Sequence, residues 1–136
     1  MSFMSNIQVG TEITPLQLPP VSRHTLALYC GASGDHNPIH VDSDFAVKAG
    51  MPDVFAHGML SMAYLGRMLT NWQPQSKLRT FTSRFVAITH VHDVITCTGS
   101  VIELFEEQGV QLARLSIAAT TANGAQTLLG EAVVAL

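Results

Sequence analysis

The stretch HGMLSMAYLGRMLTNW, residues 57–72, limits the possible folds more than any other part of this chain. Met59, Leu60, Ala63, Tyr64, Met68 and Leu69 recur at helical spacing, with further apolar positions on the flanks. A helix apolar nearly all round has no face to offer water and has to be enclosed. The residues that follow can enclose it. Four stretches, roughly 78–90, 94–105, 110–121 and 126–136, are rich in Val, Ile, Thr and Phe, with EEQG and ANG as hairpin turns. One buried helix ahead of an antiparallel meander predicts an α+β fold. The methionines at helical spacing (Met59, Met62 and Met68) read as core fillers.

Shorter elements precede this helix. IQVGTEITPLQL alternates loosely and reads as a strand pair or an edge strand broken by Pro15. Pro19 and Pro20 make an extended connector. SRHTLALYCGASG predicts a short helix capped by Ser22, with Leu26, Tyr29 and Cys30 on one face and Gly31 or Gly34 at its end. DSDFAVKAGMP predicts one or two helical turns, capped by Asp42 and stopped by Gly50 and Pro52.

Composition narrows the classes. The 136 residues fit one domain, 1–136, with enough core to fold without staples. No apolar run is long enough to cross a bilayer. MSFMSNIQVG lacks the basic start and apolar stretch of a secretory signal, so a cytoplasmic location is expected. Cys30 and Cys97 lie far apart without metal-ligand spacing and read as reduced core residues. A net charge of −3 argues against a nucleic-acid binder that relies on phosphate contacts. With 47% hydrophobic and only 12% charged residues, some surface is expected to be buried against another subunit.

The segment ASGDHNPIHVD, residues 32–42, breaks the apolar pattern with an acid, an amide and two histidines around Gly34 and Pro38. Gly34 permits backbone conformations closed to other residues, and Pro38 stiffens the second half and keeps Asn37 extended. Asn37 can steady the turn with its side chain. Such a loop could aim the Asp35 carboxylate and the His40 imidazole at one water or hydroxyl, a pairing suited to hydration or dehydration. The same residues also make an ordinary turn, and on spacing alone both readings stand.

The longer string YCGASGDHNPIHVDSDFA closely resembles the signature of the MaoC-like, or R-specific enoyl-CoA hydratase, family. The signature is an aromatic, a run of small residues, Gly-Asp-x-Asn-Pro-aliphatic-His and a downstream small residue. Tyr29, Gly34, Asp35, Asn37, Pro38, Ile39, His40 and Ala46 match it. A second landmark, Ala-His-Gly at the start of the long helix, is met by FAHGMLSMA from Phe55. A third, an Arg-Phe strand, is met by SRFVAIT, residues 83–89. Within that family it resembles the single-domain 3-hydroxyacyl-thioester dehydratases of fatty-acid elongation.

The resemblance implies a hotdog fold, an antiparallel sheet wrapped around a long central helix, that dimerises or assembles further by joining sheets edge to edge. It implies reversible hydration of trans-2-enoyl thioesters and dehydration of (3R)-hydroxyacyl thioesters carried on coenzyme A or acyl carrier protein, with no cofactor and no metal. Asp35 and His40 carry over as the catalytic pair, Asn37 as a positioning residue, and Gly58 as the backbone N–H donor to the thioester carbonyl. His57 and Ser61 are grouped with Gly58 as candidates for that contact. Read from the residues alone, His57 is a cap and Ser61 an ordinary helix residue. Some family members place a serine near the position of Gly66 instead.

Other residues have plainer readings. His36 occupies the variable position of the motif and is expected to face solvent. His90 and His92 could share one strand face with a metal, but no third ligand is near, and a polar strand end before Asp93 suffices. The family more often has a Gly-Asp turn there. Tyr64, Trp72 and Phe85 could line an acyl tunnel or simply pack the core. Arg67, Lys77, Arg79 and Arg84 are candidate contacts for a carrier's phosphates. Two alternatives to hydration remain on the same fold: acyl thioester hydrolysis, and a non-catalytic acyl-binding partner subunit.

Overall fold

The computed structural model describes residues 6–136. The first five residues of the expected 1–136 domain, and with them half of the stretch searched for a secretory signal, lie outside the described residues. Three helices and five strands follow one another: β1 (Leu16–Gln17), α1 (Arg23–Ser33), α2 (Ser43–Lys48), α3 (Gly58–Trp72), β2 (Leu78–Phe85), β3 (Ile95–Glu107), β4 (Val110–Thr121) and β5 (Gln126–Ala135). The strands form one antiparallel sheet in the order β1-β3-β4-β5-β2. This is the hotdog arrangement: α3 lies in the sheet's curve and touches all five strands.

Physical chemistry accounts for the bounds. Ser22 accepts the Thr25 N–H and starts α1, which Gly34 ends at φ 77 with its own N–H donated to the Cys30 carbonyl. Asp42 caps α2 by accepting the Asp44 and Phe45 N–H groups. Between β3 and β4, Gln108 and Gly109 both take positive φ, 50 and 79, as a two-residue hairpin turn of this hand demands. Irregular register between Val101 and Glu103 and between Ala119 and Thr120 adds local twist to the sheet.

The core joins Leu60, Leu65, Met68 and Leu69 of α3 to inward side chains such as Cys97, Leu115, Ile117 and Val134. Fully burying a Leu or Ile side chain contributes about 1.5–3 kcal/mol, so this cluster dominates the stabilising side of the fold. Burial pushes the Cys97 thiol up to about 12, and both cysteines are free. Among the described residues no helix is long and apolar enough to cross a membrane.

Three expectations need correction. The strands are not a simple meander, because β2 pairs with β5 at the far edge and never meets β3. β2 also stops at Phe85 rather than near residue 90: the Val86 and Ala87 N–H groups both turn to the Thr127 carbonyl, which ends the ladder. The buried face of α3 is rotated from the expected one. Ser61 and Leu65 face inward, whereas Met59 is 52% exposed and Ala63 is exposed.

Candidate active site

The polar loop after α1 is built by its own side chains. The Asp35 N–H donates to Ser33 Oγ at 3.1 Å, the Asn37 N–H to Asp35 Oδ1 at 3.2 Å, and the Ile39 N–H to Asn37 Oδ1 at 3.1 Å. Pro38 opens a 3-10 turn, Pro38–His40, for which Asn37 is the cap. Asn37 therefore acts on the loop itself. Asp35 commits one carboxylate oxygen to the same scaffold and remains exposed.

His40 sits at the end of this turn, 8% exposed. Its Nδ1 lies 2.7 Å from the Phe55 carbonyl, which can only accept, so Nδ1 carries the proton and Nε2 is the acceptor in the neutral ring. The Phe55 ring meets His40 edge-on, with centroids 5.1 Å apart. Phe55 is itself tied down by a β-bridge to His90, and the next residue, Ala56, donates its N–H to the Thr89 carbonyl. One ring nitrogen each from His40 and His57 and a carboxylate oxygen of Asp35 come within 4.8 Å of one another.

His57 precedes α3 but makes no side-chain cap. Its buried ring stacks on His40, meets Tyr29 edge-on with centroids 4.8 Å apart, and donates from Nε2 to the Asp35 carbonyl at 3.3 Å. Burial first, and the neighbouring His40 charge second, hold His57 below the usual imidazole range. Burial and the Asp35 charge raise the Tyr29 phenol. A divalent ion needs lone pairs that converge on one point, whereas stacked imidazoles send theirs along separate planes.

A cleft of about 260 Å³ opens beside the loop, with Asp35, Gly58, Met59, Phe85, Ile88 and Leu128 in its walls. His40 is set back from these walls. Gly58 is the first residue of α3, whose opening N–H groups have no partner inside the helix and form the positive end of its dipole. A Cβ at Gly58 would stand 3.1 Å from the Phe85 ring, so the missing side chain makes room for that ring. Ser61 is fully buried and lies outside the cleft walls.

Among the other candidates, Phe85 lines the cleft while Tyr64 and Trp72 pack against the core. A Cβ at Gly66 would meet Phe81 at 3.3 Å. His36 is exposed. His90 and His92 belong to a turn closed by Asp93, whose Oδ2 accepts the His90 N–H at 2.8 Å. Arg79 donates to the Ser76 carbonyl, and Arg84 is exposed. The sequence reading missed the Tyr29–His57–His40 ring stack; the aromatic that opens the motif was its only trace.

The chain matches the family described as "MaoC like domain" over residues 6–123. It is 41% identical over 61 residues to fatty acid synthase subunit beta of Saccharomyces cerevisiae, which covers 43% of this chain and 3% of that much longer relative. It is 29% identical over 116 residues to the (R)-specific enoyl-CoA hydratase of Rhodospirillum rubrum, covering 84% of this chain and 78% of the relative. The solved structure of the (R)-hydratase from A. caviae involved in PHA biosynthesis superposes with a TM-score of 0.84 at 27% identity, over 96% of this chain and 98% of that one. The chain belongs to the MaoC-like domain family.

Proposed function

We propose that this chain adds water reversibly to trans-2-enoyl thioesters, giving (3R)-hydroxyacyl thioesters, with coenzyme A or an acyl carrier protein bearing the acyl group. One observation carries the reading: an Asp35 carboxylate oxygen and a His40 nitrogen come within 4.8 Å beside an apolar cleft that begins at the first residue of α3. The thioester carbonyl is placed against the Gly58 N–H, where the helix dipole stabilises the oxyanion that forms as C3 is attacked. Water is held by the Asp35 carboxylate and His40 Nε2. Nε2 takes a proton from the water as its oxygen bonds to C3, and the imidazolium returns that proton to C2. The sum is one water added and no group left over. Dehydration is the same path reversed.

The exposed apolar rim of Met59, Phe85 and Ile88 (52, 55 and 44% exposed) adjoins the free edge of β2, which supports assembly of two copies through that edge. The two free thiols fit a reducing, cytoplasmic compartment.

The test is an assay of crotonyl and longer enoyl thioesters, on coenzyme A and on acyl carrier protein, that follows enoyl absorbance and free thiol together, with chiral analysis of the product. Loss of absorbance without thiol, giving the R alcohol, is expected. Thiol release would mean hydrolysis, and no change with any chain length on either carrier would leave the acyl-binding role.

A further inference from the structure

We propose that His57 is a positioning residue, a neutral imidazole in the Nε2–H tautomer that clamps the Asp35 loop and the His40 ring into one unit. The proposal rests on the hydration reading for its kinetic consequences but not for its geometry. His57 is 1% exposed, and each side of its ring has an occupant. His40 stacks on it with centroids 3.9 Å apart and planes 28° from parallel. Tyr29 from α1 meets it edge-on. Its Nε2 faces the Asp35 carbonyl, an atom that can only accept, so the proton must sit on Nε2.

Nδ1 is buried and makes no hydrogen bond. A proton there would be a buried cation without an acceptor, which is far costlier than a bare nitrogen. The tautomer and the charge state are thus fixed by two atoms on opposite sides of the ring. The titratable groups that face the ring are Asp35, His40 and Tyr29. None of them can accept from Nδ1 as placed.

This arrangement gives His57 work that a cap or a core filler would not do. The Asp35 backbone is held on its N–H side by Ser33 Oγ and on its carbonyl side by the His57 N–H. His40 has its Nδ1 anchored to Phe55, and its ring lies flat against His57. One side chain that has no place in the cleft walls therefore touches both members of the reacting pair.

Two substitutions separate the contacts. His57→Phe keeps an aromatic ring against His40 and Tyr29 but removes the N–H. His57→Gln gives up the ring but places an amide N–H near the position of Nε2. The full-length chain is assayed for enoyl-CoA hydration, with thermal denaturation as the folding control. His57→Phe is expected to lower kcat about ten- to a hundredfold with KM within about twofold, since misaligning reacting groups by an ångström costs that much. His57→Gln is expected to recover most of the loss. Wild-type kcat in His57→Phe, or a loss in His57→Gln as deep as in His57→Phe, overturns the clamp.

A second measurement needs no turnover and no variant. Imidazole ¹⁵N spectra of the wild-type chain are expected to show His57 as the Nε2–H tautomer and still neutral at a pH where exposed histidines are protonated. An Nδ1–H pattern, or a charged His57 at that pH, overturns the proposal. If the wild type hydrates no enoyl thioester, the proposed reaction falls while these spectra still decide the clamp.

Discussion

The imidazole of His40 lies flat against that of His57, with ring centroids 3.9 Å apart. Two unit charges about 4 Å apart repel by about 4 kcal/mol at an effective dielectric of about 20, so charging both rings at once is disfavoured. His40 is anchored through Nδ1, which leaves its Nε2 as an acceptor, while His57 gives its Nε2 proton to the Asp35 carbonyl.

That division makes stability depend on pH. His57 is held below the usual imidazole value in the folded chain and returns to about 6.5 when unfolded. Above that value neither state binds the proton, and His57 adds no pH dependence. As pH falls below it, the unfolded chain takes up a proton that the folded chain refuses, so stability drops until the lowered folded value is passed. One proton limits the slope to about 1.4 kcal/mol per pH unit. Urea midpoints between pH 7.5 and 5 should fall in the wild type and fall less steeply in His57→Phe. Equal slopes would assign the effect to other groups.

The acid–base pair gives a prediction for turnover. Asp35→Asn and His40→Gln each leave the loop's size intact but remove a proton acceptor, and general acid–base catalysis is worth about 10²–10⁴-fold. Each variant should lose kcat in that range. Asp35 is exposed, so its melting temperature should stay near the wild-type value. Full hydratase activity in both variants would remove the basis of the mechanism.

At Gly58 the structure predicts a coupling. An added Cβ would stand 3.1, 3.2 and 3.3 Å from three Phe85 ring atoms, too close for the ring to stay where it is. Phe85 is 55% exposed, so it can swing, and the cleft is where it would swing. Gly58→Ala should cost stability only modestly, about 1 kcal/mol, but lower kcat/KM clearly. Pairing it with Phe85→Leu should restore part of the loss. A double-mutant cycle with no interaction energy would separate the two residues.

Much of this could be read from the chain, for reasons that are local. Ser22, Gly34 and Asp42 do their capping work within three or four residues, so α1 and α2 begin and end where expected. Enclosure of α3 follows from its composition. What could not be read is set by distant partners. β2 pairs with β5 and lays Phe81 and Phe85 against the bare Gly66 and Gly58 of α3, contacts between residues far apart in the chain. β2 ends early because the Thr127 carbonyl captures two N–H groups from the following residues. The ring stack joins Tyr29, His40 and His57 from three different elements, and no sequence periodicity links them.

The β2–β5 contact has its own weak point. A Cβ at Gly130 would fall 2.0 Å from the Thr82 carbonyl oxygen and 2.9 Å from the Ser83 Cα, both of them backbone. Backbone in mid-sheet cannot step aside as a side chain can. Gly130→Ala should destabilise the fold by about 3 kcal/mol or more, at the upper end of overpacking costs. Hydrogen exchange should quicken first along β2. A midpoint within about 0.5 kcal/mol of wild type would mean that the strands part without cost.

The turn before β3 carries the opposite kind of strain. His92 has φ 77, a conformation in which a side chain crowds the backbone. The turn is kept by Asp93, which accepts the His90 N–H through Oδ2 and returns its own N–H to the His90 carbonyl. His92→Gly removes the crowding and keeps both bonds. Its gain is offset in part by the greater freedom of glycine in the unfolded chain, leaving a net increase of about 0.5–1 kcal/mol. His92→Ala keeps a Cβ and should leave the urea midpoint where it is. Equal increases in the two variants would trace the effect to the lost imidazole and not to the backbone.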